Sequence, residues 1–146
     1  MSHLVDVSKS DDVFLLEINA GCSFGWTPSG LFVTMPVSAG YAAFAEEVLN
    51  ALPKSQDGEP MSDEDYKKYR KEVFRSVGVK TNRAFQKKFS HCFVSNDESG
   101  TVSIQPLFPE GRGWVGRKDV EEVECTAQVE ALAAGLRRGF ELALKR

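Results

Sequence analysis

Val13-Phe14-Leu15-Leu16-Glu17-Ile18 is the stretch from which the fold is read. It is short, apolar, and rich in aromatic and β-branched residues, which suits a buried strand better than a helix. Asn19-Ala20-Gly21 ends it with turn-forming residues. Cys22 to Trp26 is a second extended piece, and Pro28-Ser29-Gly30 turns the chain again. Leu31 to Val37 follows, with Leu31, Val33 and Met35 on one face and Pro36 confining the strand's end to a sheet edge. Residues 13–37 therefore read as two or three antiparallel strands. Upstream, residues 1–10 are polar and read as a flexible N-terminus, leaving 11–146 as a single domain.

Helical spacing takes over downstream. Tyr41, Phe44, Ala45, Val48, Leu49 and Leu52 share one face, Ser38 is the expected cap and Pro53 the stop. Ser62 caps a second helix, with Asp65 in capping-box position and Asp63 and Glu64 where the helix dipole favours acids. Tyr66, Tyr69, Val73, Phe74 and Val77 form its buried stripe, and Gly78 its C-terminal cap. Thr81 to Phe89 reads as a short third helix. His91–Ser95 and Thr101–Leu107 read as a hairpin around Asn96–Gly100. Gly111 to Gly116 is a glycine-rich loop around Trp114, and Val120–Cys125 alternates apolar and acidic residues. Thr126 is the expected cap of a last helix, whose stripe runs from Val129 to Leu144. Strands, helices, strands and a helix in that order predict an α+β domain, with a mainly antiparallel sheet of about five or six strands carrying three to four helices on one face.

Composition agrees. The 146 residues are 42% hydrophobic and 27% charged, with a net charge of -3. This is a globular balance that excludes collagen, coiled-coil and disordered classes and argues against a generalised nucleic-acid binder. Cys22, Cys92 and Cys125 are an odd, widely spaced set with no CxxC, so they read as reduced thiols. No apolar run approaches the roughly 18 residues of a membrane span. The N-terminus lacks the apolar core of a signal peptide, so a cytoplasmic location is expected.

A search for chemistry finds no catalytic set, metal or cofactor. His91 and Cys92 are strand neighbours and point to opposite faces, so they form no dyad. G-x-S-x-G is absent, and the histidines and thiols have no ligand spacing. The glycines at 111, 113 and 116 do not open a helix, as a phosphate cradle requires. Two charged features remain. Lys80, Arg83, Lys87 and Lys88 lie in an acid-free stretch with Phe85 and Phe89, which suits either a solvated helix face or a nucleic-acid surface. Two acidic clusters, Asp57, Glu59, Asp63, Glu64 and Asp65, and Asp119, Glu121, Glu122 and Glu124, suit a basic protein partner.

Gly78-Val79-Lys80-Thr81-Asn82-Arg83-Ala84-Phe85, running on to Cys92, resembles the central signature of the immunity proteins of bacterial contact-dependent growth inhibition. Val102-Ser103-Ile104-Gln105-Pro106, Trp114 and the Leu142-Ala143-Leu144 ending are similar too. The family pattern has a histidine soon after the proline matching Pro106, where this chain has Leu107-Phe108-Pro109. The resemblance implies a non-enzymatic antidote that binds a cognate toxin C-terminal domain one-to-one, often a nuclease, and blocks its active site, with no membrane or nucleic-acid partner. On that reading the two acidic clusters and Trp114 are the contact candidates, and Lys80-Thr81 and Arg83 hold the fold. The competing reading is a small nucleic-acid-binding regulator using Lys80 to Lys88.

Overall fold

The computed structural model describes residues 3–144. The chain runs β1 (His3–Lys9), β2 (Val13–Cys22), β3 (Gly25–Pro36), α1 (Tyr41–Ala51), α2 (Asp63–Val77), α3 (Asn82–Lys88), β4 (Ser90–Asn96), β5 (Thr101–Glu110), β6 (Gly113–Val115), β7 (Val123–Thr126) and α4 (Val129–Ala143), with single 3-10 turns on either side of α1. The strands form one curled antiparallel sheet in the order β3-β2-β1-β4-β5-β6. Strand β5 is long enough to pair its far half with β6 and its near half with β7. This is the α+β domain that the element order predicts.

The N-terminus departs from expectation. Residues 3–9 are not loose: they form the strand at the middle of the sheet, hydrogen-bonded to β2 on one side and β4 on the other. Val5 and Val7 are fully buried on one face. Asp6 and Ser8 point to the other, where polar partners meet them. Alternation with period two is the strand signature here, and the polar half of it disguised the segment as a tail.

Helices cover both faces of the sheet, not one. Helices α1 and α4 bury Phe44, Val48, Leu132, Leu136 and Phe140 against Val5, Val7, Phe14, Leu16 and Ile104. Phe14 stacks on Phe44 with ring centroids 4.3 Å apart. Helices α2 and α3, with Phe89 directly after α3, bury Tyr69, Val73, Phe74, Phe85 and Phe89 around Leu15 on the opposite face. Leu15 and Leu16 explain the arrangement. Strand neighbours point to opposite sides, both are fully buried, and a strand that is apolar without alternation needs a layer on each side.

Local signals hold at α2 and α3. Ser62 Oγ accepts from the Asp65 amide at 3.1 Å and Thr81 Oγ1 from the Ala84 amide at 3.1 Å. Gly78, at φ +75°, closes α2 in the left-handed conformation that glycine adopts without strain. Two expected caps fail. Ser38 lies within the turn before α1, which starts after Gly40. Thr126 ends β7, and α4 starts after Gln128 with no side-chain cap. On β3, Met35 packs on the core, but Leu31 and Val33 are exposed, because the strand is at the sheet edge and α1 does not reach its start.

Candidate functional site

A cleft of about 410 Å³ opens on the α2/α3 face, between those helices and the β5–β6 hairpin. Its floor is the sheet. Strand β2 supplies Glu17, β1 supplies Asp6 and β4 supplies His91. Glu17 Oε1 accepts from Tyr69 Oη at 2.9 Å and from Arg70 NH1 at 2.7 Å. Burial pushes the Glu17 carboxyl above its usual range, and the Arg70 guanidinium opposes that shift without cancelling it. Burial and the neighbouring Glu17 together push the Tyr69 phenol up. Arg70 is fixed in turn by the rings of Phe74 and Phe85, whose centroids lie 4.8 and 5.6 Å from its guanidinium carbon.

The second half of the floor is built around His91. Its Nδ1 shares a 2.7 Å hydrogen bond with Ser8 Oγ, and its Nε2 sits 3.6 Å from Asp6 Oδ2. Asn19 Nδ2 donates to Asp6 Oδ1 at 3.0 Å. The Trp114 ring stacks on the imidazole, centroids 4.7 Å apart and planes 17° from parallel. Gln86 Nε2 donates to the Gly113 carbonyl at 2.7 Å, tying β6 to α3. Among the described residues every buried side-chain nitrogen and oxygen has a partner. His91 is 3% exposed beneath Trp114, so it orients its neighbours and does not meet solvent. Cys92 faces the other side of the sheet, as strand geometry requires, and burial pushes its thiol up. The arrangement is suited to holding a side chain or loop of a partner.

The residues singled out from the sequence fall in several places. Asp57, Glu59, Asp63, Glu64 and Asp65 are all exposed. Hydrogen bonds from the Gly21 amide to the Gln56 carbonyl and from the Gly58 amide to the Gly21 carbonyl pin the loop of Asp57 and Glu59 to the end of β2, whereas Asp63, Glu64 and Asp65 form the first turn of α2. Exposed Phe24 and Trp26 lie on the hairpin of β2 and the edge strand β3. Asp119, Glu121, Glu122 and Glu124 are exposed at the opposite edge, next to Arg117 and Arg138. The two acidic groups therefore do not form one surface. Trp114 is half-buried and lines the cleft.

The basic stretch loses its aromatic component. Lys80, Arg83, Lys87 and Lys88 are exposed, but Phe85 and Phe89 are 2% and 1% exposed and stack on each other at 4.7 Å inside the core. Neither of these two rings is available for a base to stack on, so the stretch offers cations without the interleaved aromatics that the nucleic-acid reading relied on. Lys88 Nζ donates to the Val77 carbonyl at 3.0 Å, so one of the four cations closes the end of α2.

Sequence reasoning missed the cleft floor. Its one visible signal was Glu17, an acid inside an otherwise apolar strand, which cannot be buried without partners. Asp6 and Ser8 lay in the segment read as loose. Among the described residues there is no group of three potential metal ligands, and no helix is long and apolar enough to cross a membrane.

Comparison with known proteins places this geometry. The structure matches a protein of unknown function from Neisseria meningitidis with a TM-score of 0.77 and 20% identity, covering 100% of this chain and 95% of that one. It matches a chain of the CdiA-CT/CdiI toxin and immunity complex from Yersinia pseudotuberculosis with a TM-score of 0.80 and 18% identity, covering 97% of each. At these identities the likeness concerns the fold. No curated protein matches the chain. The model of the family CdiI, CDI immunity protein, matches residues 5–143, nearly the whole domain with both helical layers and all seven strands, and the chain belongs to that family of contact-dependent growth inhibition immunity proteins.

Proposed function

We propose that this protein neutralises the C-terminal toxin domain of its own contact-dependent growth inhibition system, binding it one-to-one in the cytoplasm without chemistry of its own. The toxin is a nuclease on this reading, and the bound immunity protein covers its active site. Family membership supports the immunity role. The observation that supports the charge mechanism is the run Asp57, Glu59, Asp63, Glu64 and Asp65, all exposed, with Asp57 and Trp26 both close to Gly21 at the end of β2. A nuclease active site is basic because it holds phosphates, and an exposed acidic surface complements it in steering and orientation. The Asp119–Glu124 group is the weaker candidate, since Arg117 and Arg138 lie among its acids.

The test is co-expression of this chain with the toxin domain of its own system, followed by growth measurement and co-purification. Rescue of growth with a one-to-one complex is expected, and the nucleic acid degraded without rescue identifies the toxin's chemistry. Reversing Asp57, Asp63 and Asp65 to Lys is expected to slow association about tenfold at low salt, with the gap closing as salt rises. Absence of a complex would remove the proposed function. Equal association rates would remove the charge mechanism and leave the antidote role.

A further inference from the structure

The α2/α3 cleft contains one carboxylate oxygen that no cation of its own lining contacts. Two carboxylates, Asp6 and Glu17, stand at its floor. The one cation held among them, Arg70, is committed to Glu17 at 2.7 Å. Asp6 Oδ1 is satisfied by Asn19, but Oδ2 lies 3.6 Å from His91 Nε2, too far for a hydrogen bond. The Asp6 side chain keeps 22% of its surface exposed, and that surface opens into the cleft. Two aromatic side chains stand at the mouth: Tyr66 on α2, 45% exposed, and Trp114 on β6, locked in place by its stack on His91. Arg112 also lines the mouth, but it is exposed on the β5–β6 turn, where water screens it. A partly desolvated carboxylate oxygen below aromatic faces favours a cation with an apolar stem.

We infer that the cleft seats a lysine or arginine side chain of the toxin domain, with the cationic head on Asp6 Oδ2 and the stem against Tyr66 and Trp114. This rests on the toxin-binding function proposed above, and adds an anchor on the sheet face, distinct from the exposed acids Asp57 to Asp65. Seating one long side chain fits the volume, since a 410 Å³ cleft is too small for a helix or a folded element. Tyr, Trp and Arg-type anchors are also the residues that carry most interface energy elsewhere.

Titration calorimetry of the full chain against a catalytically inactive toxin domain tests this, with three variants. Asp6→Asn, which keeps the shape and the Asn19 contact, is expected to weaken binding about tenfold or more. Tyr66→Ala is expected to weaken it several-fold, and this exposed position carries the test if Asp6→Asn fails to fold. Arg112→Ala is expected to leave binding unchanged or tighten it, because it removes a competing cation. The opposite pattern, weaker binding for Arg112→Ala and tighter for Asp6→Asn, would show an anionic occupant and overturn the inference. So would affinities within twofold of wild type for both Asp6→Asn and Tyr66→Ala, with the antidote role intact. No binding by the wild-type chain would overturn the antidote role and the inference together.

Discussion

Replacing Arg70 with Met probes the buried ion pair that organises the cleft. Methionine keeps an unbranched stem against Phe74 and Phe85 but removes the charge facing Glu17. The Glu17 side chain is 7% exposed and that of Arg70 20%, so the variant leaves a buried carboxylate with only the Tyr69 hydroxyl as donor. Removing one partner of a buried pair costs about 3–5 kcal/mol. The residual exposure of Arg70 places this site at the low end, about 3 kcal/mol, or roughly 6–12 °C in Tm for a chain of this size. The deficit must depend on pH. Burial already raises the folded-state pKa of Glu17 above its ordinary 4.5, and loss of Arg70 raises it further. A raised carboxyl pKa means that its contribution to stability is fully present below the unfolded value and is lost as pH rises through the folded value. Wild type and Arg70→Met are therefore expected to differ least near pH 4.5 and most at pH 7–8, in urea unfolding followed by circular dichroism. Adding Glu17→Gln to Arg70→Met is expected to recover much of the loss and flatten the pH dependence. A deficit under about 1 kcal/mol at pH 7.5, or one that does not change with pH, would refute the claim that a charged Glu17 is held by Arg70.

Two glycines of α4 separate helix propensity from packing. A Cβ at Gly139 would meet Ile104 Cγ2 at 2.7 Å, and one at Gly135 would meet Ile104 Cδ1 at 2.9 Å. Alanine gains roughly 1 kcal/mol over glycine in a helix interior, against about 1–3 kcal/mol for overpacking. Gly139→Ala is therefore expected to destabilise, because Cγ2 can move only by a change of χ1, which is stiff in a β-branched side chain. Gly135→Ala is expected to be near neutral, because Cδ1 is the free end of the side chain. Ile104→Val deletes Cδ1 alone, so in a double-mutant cycle it should relieve Gly135→Ala and leave Gly139→Ala unrelieved; the reverse order in denaturant midpoints would contradict this packing. Ser62→Ala removes the side-chain cap of α2 and is expected to cost about 1 kcal/mol, read as a Tm loss of a few degrees, with Ser62→Gly milder.

Much of the fold follows from local rules. Antiparallel strands over 13–37, the capped α2 and α3, and the β4–β5 hairpin come from periodicity and end signals acting within a few residues, such as Ser62 to Asp65 and the αL glycine at 78. The signature at Gly78–Cys92 led to the family that the match over residues 5–143 identifies. The same logic placed His91 and Cys92 on opposite faces. Cap choices failed at Ser38 and Thr126, where turn geometry moved the helix start by two residues in each case.

The cleft was not legible in this way, because its parts are far apart in sequence and polar. Asp6, Glu17, Arg70, His91 and Trp114 come from five separate elements. None has a neighbour within a few residues that would betray its role, and a short strand of alternating polarity looks like a tail until a second strand pairs with it. The sequence by itself determined most of the strands and helices, β1 and β6 excepted, and the apolar stripe of each helix, since those depend on side-chain spacing along one segment. The tertiary structure alone decided that His3–Lys9 is the central strand, that Leu15 and Leu16 demand a helical layer on each side, and that the Asp57–Asp65 and Asp119–Glu124 groups lie at opposite edges. Strand order and the meeting of distant polar groups depend on which surfaces bury each other, and that is a property of the whole chain.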